Sequence, residues 1–227
     1  MTTPSAAPPT ASSAALDHLV LAVPELAPGV AWAERRLGVA FGPGGAHPGM
    51  GTHNRLLRLG ADAFLEVIAP APDAPAPPHP RWFGMSDADA LRRRWERGPR
   101  LAAWVARVPD LDAALAVAPG VLGRPVRQTR GALSWRFALR ADGSPPLGGA
   151  APCLIQWDRG AGRPDGTPAP TLPDAGCALE RLTVRHPDPA GVVALLDRLG
   201  LAGVAEVVAG EPGVSARVRT PGGAVDL

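Results

Sequence analysis

Two ionisable residues interrupt apolar runs that otherwise read as buried strands: His18 in LDHLVLAV and Glu66 in AFLEVIAP. A carboxylate taken into an apolar strand without a partner is costly, so Glu66 calls for one. Apolar surroundings also raise a carboxylate's pKa toward the working range, which suits it to general base chemistry. His18, placed by alternation with Leu16, Val20 and Ala22, reads on its own as a satisfied structural histidine. His47 and His53 flank PGMGT, a spacing that matches no zinc signature. His53 and Asn54, at the mouth of a strand, are candidate substrate contacts, whereas His47 is assigned to loop structure. His79 lies in a proline-rich linker and His186 at a strand end, both expected to be exposed. In LSWRFALR, alternation sends Trp135 and Arg136 to opposite faces, so one of them looks into any cleft. Arg58 carries the same ambiguity. An inward arginine would favour a carboxylate or phosphate on the ligand through bidentate pairing. Trp157 is assigned to the core.

The elements that must position these groups follow from patterning. LDHLVLAV is an apolar strand stopped at Pro24. Leu26, Val30, Ala33 and Leu37 then form a helical stripe closed by Gly38 in the C-cap position. VAFGPGGAHPGMG is turn-rich and reads as a loop with at most a short strand. HNRLLRLG and AFLEVIAP are two strands joined by the turn Gly60-Ala61-Asp62. PAPDAPAPPHP is an extended linker, and Ser86 with Asp89 opens a helix over DADALRRRWERG. The order then repeats: LAAWVARVPDL mirrors LDHLVLAVPEL, followed by LDAALAVAPG, GRPVRQTR, LSWRFALR and APCLIQWD. After a second Pro/Gly-rich linker the pattern starts a third time at LERLTVRHPDP and ends at GAVDL. The expected fold is therefore α+β, made of repeated βαβββ units. Two units pair into a curved eight-stranded sheet with outer helices and a cleft within, and a third, shorter unit either packs on the pair or meets a second copy. The boundaries are a disordered leader over 1–15, units over 16–70, 101–158 and 177–227, a linker and helix over 71–100, and a linker over 159–176.

Composition narrows the function classes. The 227 residues carry a formal net charge of +2, and all 23 basic residues are arginine. They are scattered apart from Arg92-Arg93-Arg94, a solvated helix face, and no aromatic-interleaved basic stripe accompanies them, so nucleic acid is not an expected partner. No apolar run approaches a membrane span, and the N-terminus lacks the charged and apolar regions of a secretory signal. Two cysteines, Cys153 and Cys177, make no disulfide framework and read as buried, inert thiols in a cytoplasmic protein. Nucleophile-elbow, Walker and dinucleotide-glycine patterns are missing. A small molecule is the expected partner, for a monomer or homodimer.

Together, LDHLVLAVPEL, HPGMGTHN, FLEVIAP, RWFG and APCLIQWD resemble the glyoxalase-like branch of the vicinal oxygen chelate superfamily, in detail from Leu16 to Asp158 and more faintly from Leu179 to Leu227. The resemblance implies a site in the cleft between two paired units, with His18 near Glu66. In metal-binding members each unit supplies one ligand from its first strand and one from its last. Carried over, these are His18 and Glu66, then Ala103 and Gln156; in the third unit they are Arg181 and Asp226. Ala103 cannot ligate and Arg181 repels a cation. The implied cofactor is a divalent metal (Mn, Fe, Ni, Zn or Mg) held by His18, Glu66, Gln156 and waters. Without metal, His18 and Glu66 act as an acid–base pair, with His53, Asn54 and Arg58 or Arg136 positioning substrate. The implied activity is metal-assisted or acid–base chemistry on a small carbonyl or hydroxy compound, of lyase, isomerase or dioxygenase type. The alternative is non-catalytic binding or sequestration.

Overall fold

The computed structural model describes residues 13–131, 133–158 and 167–227. Most of the expected leader (1–12) and the first part of the second linker (159–166) lie outside the described residues. The chain runs β1 (Ala15–Ala22), α1 (Leu26–Leu37), β2 (Gly42–His47), β3 (Thr52–Leu59), β4 (Ala63–Pro70), α2 (Ala88–Glu96), β5 (Ala103–Arg107), α3 (Leu111–Val117), β6 (Arg124–Arg130), β7 (Leu133–Leu139), β8 (Cys153–Trp157), β9 (Ala178–His186), α4 (Pro189–Arg198), β10 (Glu206–Ala209), β11 (Gly213–Thr220) and β12 (Gly223–Asp226). The first eight strands form one sheet in the order β2-β3-β4-β1-β5-β8-β7-β6, and the last four form a second, β10-β9-β11-β12. The expected architecture of two joined units and a third, shorter one is thus present.

The two halves of the large sheet meet at β1 and β5, which pair antiparallel through Leu19 and Trp104. Alternation then divides each strand between two cores. Leu19, Leu65, Trp104 and Leu154 point outward, to the side where α3 and the third unit pack. Leu21, Val23, Val67 and Ala69 meet Ala33 of α1. Val20, Ile68, Ala103, Val105, Phe137 and Ile155 point into the concave face. The third unit contributes Leu182, Val184, Val214, Ala216 and Val218 to the outer core, together with Val192 and Leu196 of α4. It therefore packs on the pair, resolving the alternative that patterning leaves open.

Local differences from expectation have simple causes. The glycine-rich stretch read as a loop is the strand β2, bulged between Gly42 and Gly44 against β3. A Cβ at Gly44 would lie 1.8 Å from the backbone oxygen of Asn54, so this pairing tolerates only glycine. The N-cap of α2 is Asp87, which accepts from Ala90 N, while Ser86 Oγ accepts from Arg81 N. α1 ends as expected at Gly38, at φ 71°, with its N–H on Glu34 O. The prolines of the first linker do not keep it wholly on the surface, because Trp82 and Phe83 at its end are buried in the concave core. Phe83 takes the left-handed conformation (φ 57°) that a side chain normally avoids.

Candidate active site

The concave face holds a small cavity of about 30 Å³ that opens in part to solvent. Its walls combine His18, Glu66, His47, Asn54 and Arg130 with aromatic rings that include Phe64, Trp82, Trp135 and Trp157. Pro168, from the second linker, closes one side. Behind it Ala169 and Leu172 pack on Leu56 and Phe64.

His18 is positioned by a feature that sequence alternation does not predict. β1 is bulged between Leu16 and His18 where it pairs with β5. The bulge breaks the two-residue period, so Leu16 packs with the outer core while Asp17, fully buried, reaches its neighbour's imidazole. Asp17 Oδ1 lies 2.7 Å from His18 Nδ1, and Asp17 Oδ2 accepts from Trp157 Nε1 at 2.8 Å. A carboxylate only accepts, so Nδ1 carries the proton and Nε2 is turned to the cavity. Phe64 stacks on the ring at 4.5 Å and 18°. Nε2 faces Glu66 Oε2 at 3.5 Å, and both residues are buried.

Glu66 is held from its other side. Asn54 donates from Nδ2 to Glu66 Oε1 at 2.5 Å. The orientation of that amide is unambiguous, because Asn54 Oδ1 accepts from Gly45 N at 2.8 Å and from Arg130 Nη1 at 3.3 Å. His47 completes the polar wall, with Nδ1 3.2 Å from Thr52 Oγ1 and Nε2 3.5 Å from Arg130 Nη1. Burial first, then the neighbouring Arg130, His18 and His53, lower its pKa to about 3, so at neutral pH it is an uncharged acceptor for Arg130.

The other residues singled out in the sequence go elsewhere. Gln156 is turned to the outer face, where Oε1 accepts from Leu111 N at 2.9 Å and from Arg136 Nη1 at 3.4 Å. Arg136 is on that face too, paired with Asp112 at 2.6 Å, while its neighbour Trp135 lines the cavity. Arg58 is bound to Gly60 O at 2.7 Å at the end of β3. Alternation along β3 puts Asn54 in the cavity wall and half-buried His53 on the opposite face. Trp157 lines the cavity instead of filling the core. Asp17, His47 and Arg130 join the site without a sequence pattern that assigns them to it. The bulge hid the first, and reading β2 as a loop hid the second. The GRPVRQTR strand, whose alternation puts Gln128 and Arg130 on one face, held the signal for the third.

The donor set does not fit the divalent metal that the resemblance implies. The pairing of β1 with β5 makes Ala103 the counterpart of His18. Val20 lies beside Glu66 as Val105 lies beside Cys153, so Cys153 is the counterpart of Glu66. Cys153 is outside the cavity wall, and burial pushes its thiol up to about 12. Gln156 is turned away, and the cation of Arg130 stands on the Asn54 that holds Glu66. Two facing donors beside a fixed positive charge make a poor site for a second cation. Among the described residues no group of three His, Cys, Asp or Glu side chains is arranged to hold a metal, and no helix is long and apolar enough to cross a membrane.

Comparison with known proteins supplies the family. A family model described as a glyoxalase-like domain matches residues 16–200. The chain belongs to the glyoxalase-like domain family. This agrees with the resemblance read from the β1, β4 and β8 segments. Among solved structures, a hypothetical protein from Staphylococcus aureus is similar at a TM-score of 0.57 and 10% identity, with 88% of this chain and 87% of that one covered; it supports the fold. Methylmalonyl-CoA epimerase from Mycobacterium tuberculosis aligns at 21% identity and a TM-score of 0.40, covering 65% of this chain and 89% of that one. A Streptomyces coelicolor methylmalonyl-CoA epimerase variant in complex with 2-nitronate-propionyl-CoA aligns at 15% identity and 0.42, covering 66% and 100%. Comparison with curated proteins gives no match. A glyoxalase-like fold hosts many chemistries, so reaction must be argued from the site.

Proposed function

We propose that this glyoxalase-like protein is a small-molecule enzyme that moves protons next to a carbonyl group, using Glu66 and His18 without a metal. The observation that carries the reading is the buried line Asp17–His18–Glu66, with His18 fixed at Nδ1 by a carboxylate and presenting Nε2 to Glu66 at the cavity wall. A binding pocket needs no such line. Its parts are those of an acid–base site: a base, a proton donor beside it and a third group that fixes the donor's tautomer.

In the step this arrangement supports, Glu66 takes a proton from the carbon beside the carbonyl. The C–H electron pair becomes a C=C bond, and the carbonyl oxygen takes a proton from His18 Nε2, giving an enol. Asp17 stabilises the imidazolium that precedes the transfer. Glu66 then returns its proton to carbon, and the enol oxygen returns its own to His18. Protons are conserved, and no co-reactant is consumed. Return to the opposite face, after the enol has turned in the cavity, gives epimerisation; return to the adjacent carbon of a hydroxy carbonyl compound, with the neighbouring hydroxyl and not the enol oxygen giving its proton to His18, gives isomerisation. The test is proton exchange in D₂O, followed by proton NMR on a panel of small 2-hydroxy and 2-oxo compounds. The reading expects enzyme-dependent loss of the signal next to the carbonyl; no exchange across the panel contradicts it.

A second reading is favoured by one observation, the ring-rich wall built from Phe64, Trp82, Phe83, Trp135, Phe137 and Trp157. Such a wall suits sequestration of an apolar ligand. That reading expects binding without exchange, and indifference of affinity to Glu66→Gln.

A further inference from the structure

We propose that the ligand of this cavity carries a carboxylate, and that Arg130 binds it. The inference rests on the acid–base reading above only for the remainder of the ligand, a carbonyl or hydroxyl group reaching His18 and Glu66.

Arg130 is a half-buried guanidinium in the cavity wall whose hydrogen bonds go to neutral acceptors, while the Glu66 carboxylate acts on its charge only through space. Among the described residues only Nη1 is engaged, with the neutral acceptors Asn54 Oδ1 and His47 Nε2 at 3.3 and 3.5 Å. Among the described residues it makes no salt bridge, whereas Arg127 pairs with Asp158 and Arg136 with Asp112. Glu66, the carboxylate in the same wall, is occupied by Asn54 and His18. Asn54 stands between them, one amide wide, and keeps the cation and the base apart. A guanidinium has five N–H donors in a planar fork, and most of this fork remains for a planar anion.

The seat of this side chain is also built. A Cβ at Gly45 would lie 2.8 Å from Arg130 Cδ, so the stem of Arg130 lies against bare backbone of β2. One guanidinium with an uncharged His47 beside it matches one negative charge. A phosphate dianion would call for a second cation, and His18 is already committed between Asp17 and Glu66. The fork at one end, the acid–base pair one amide away and the rings around both describe a small 2-oxo or 2-hydroxy carboxylate with a compact apolar substituent.

The test measures binding, independent of turnover. Phenylglyoxylate, pyruvate and lactate are titrated calorimetrically beside their neutral amides and inorganic phosphate, with wild-type protein and the Arg130→Met, Arg130→Lys, Gly45→Ala and Glu66→Gln variants. At least one acid is expected to bind roughly tenfold or more tighter than its amide, the usual margin for a charge-assisted fork. Arg130→Met removes the preference and Arg130→Lys keeps part of it. Gly45→Ala, which crowds the stem from a residue outside the acid–base pair, weakens acid binding alone and serves if Arg130→Met fails to fold. Equal affinity for acid and amide, preference for phosphate, no acid binding up to roughly 10 mM, or a preference that survives Arg130→Met overturns the proposal. Glu66→Gln separates the two claims: it keeps the acid preference if Arg130 binds the carboxylate, whatever it does to proton exchange.

Discussion

Asp17 and His18, adjacent in sequence on β1, hydrogen-bond to each other through their side chains at 2.7 Å. Regular alternation would send them to opposite faces; the bulge at Leu16–His18 brings them together. The pair fixes the imidazole tautomer, and the first prediction concerns it. Asp17→Asn can offer Nδ1 either an acceptor or a donor, and it no longer stabilises the imidazolium. Proton exchange should fall by roughly 10²-fold or more, seen in kcat more than in KM, because Asp17 is outside the cavity wall. Asp17→Ala should in addition cost about 1–3 kcal/mol in denaturant unfolding, since the Trp157 indole N–H loses its partner. Unchanged kcat in Asp17→Asn would remove the orienting role.

His47 makes stability depend on pH. Its pKa is about 3 in the folded protein against an ordinary 6.5, so between those values the unfolded chain binds more protons. Stability from this site is complete above about pH 6.5 and is lost as pH falls toward 3, by an amount on the order of several kcal/mol. Urea unfolding of wild type between pH 7 and 4 should show the decline. His47→Gln, which keeps a hydrogen-bonding side chain but cannot titrate there, should flatten it. Equal slopes in the two proteins would mean that the acid sensitivity lies elsewhere.

Gln156 should matter for folding and not for the site. Its Oε1 meets the first N–H of α3 and the guanidinium of Arg136 on the outer face. Gln156→Ala is expected to cost about 1 kcal/mol while leaving ligand affinity unchanged. A large loss of affinity at preserved stability would return Gln156 to the cleft.

Gly44 tests the scaffold behind Asn54. A Cβ there would lie 1.8 Å from Asn54 O and 2.8 Å from Asn54 Oδ1. Gly44→Ala should therefore separate β2 from β3, with a cost of about 2 kcal/mol or more, and should disturb Glu66 through Asn54. Thermal unfolding and the exchange rate should fall together.

The fold was legible because its signals are periodic and repeated. LDHLVLAVPEL and LAAWVARVPDL announce two copies of one unit, and Leu26, Val30, Ala33 and Leu37 mark the outer helix face. His18 and Glu66 were legible for a different reason: each is a polar residue in a strand too apolar to leave it without a partner. What stayed hidden depends on departures from period two. The bulge at Leu16–His18 concealed Asp17, and the glycine-rich, bulged β2 concealed His47. Similarity of the short strings LEVI and LIQW points to Gln156, whereas the pairing of β5 with β8 turns it outward and sets Cys153 opposite Val105. Arg130 sits in a strand with four polar or charged neighbours, so nothing local separates it from the solvated arginines; only the cavity does.

The central claim is that Glu66 is the base, and Glu66→Gln tests it most directly. The amide keeps the shape and the contact with Asn54 while removing the carboxylate that takes the proton. With a compound that wild type exchanges in D₂O, the account predicts that the variant binds it with affinity within a few-fold of wild type, while exchange falls by roughly 10²-fold or more. Exchange at the wild-type rate in a folded Glu66→Gln protein would contradict the account.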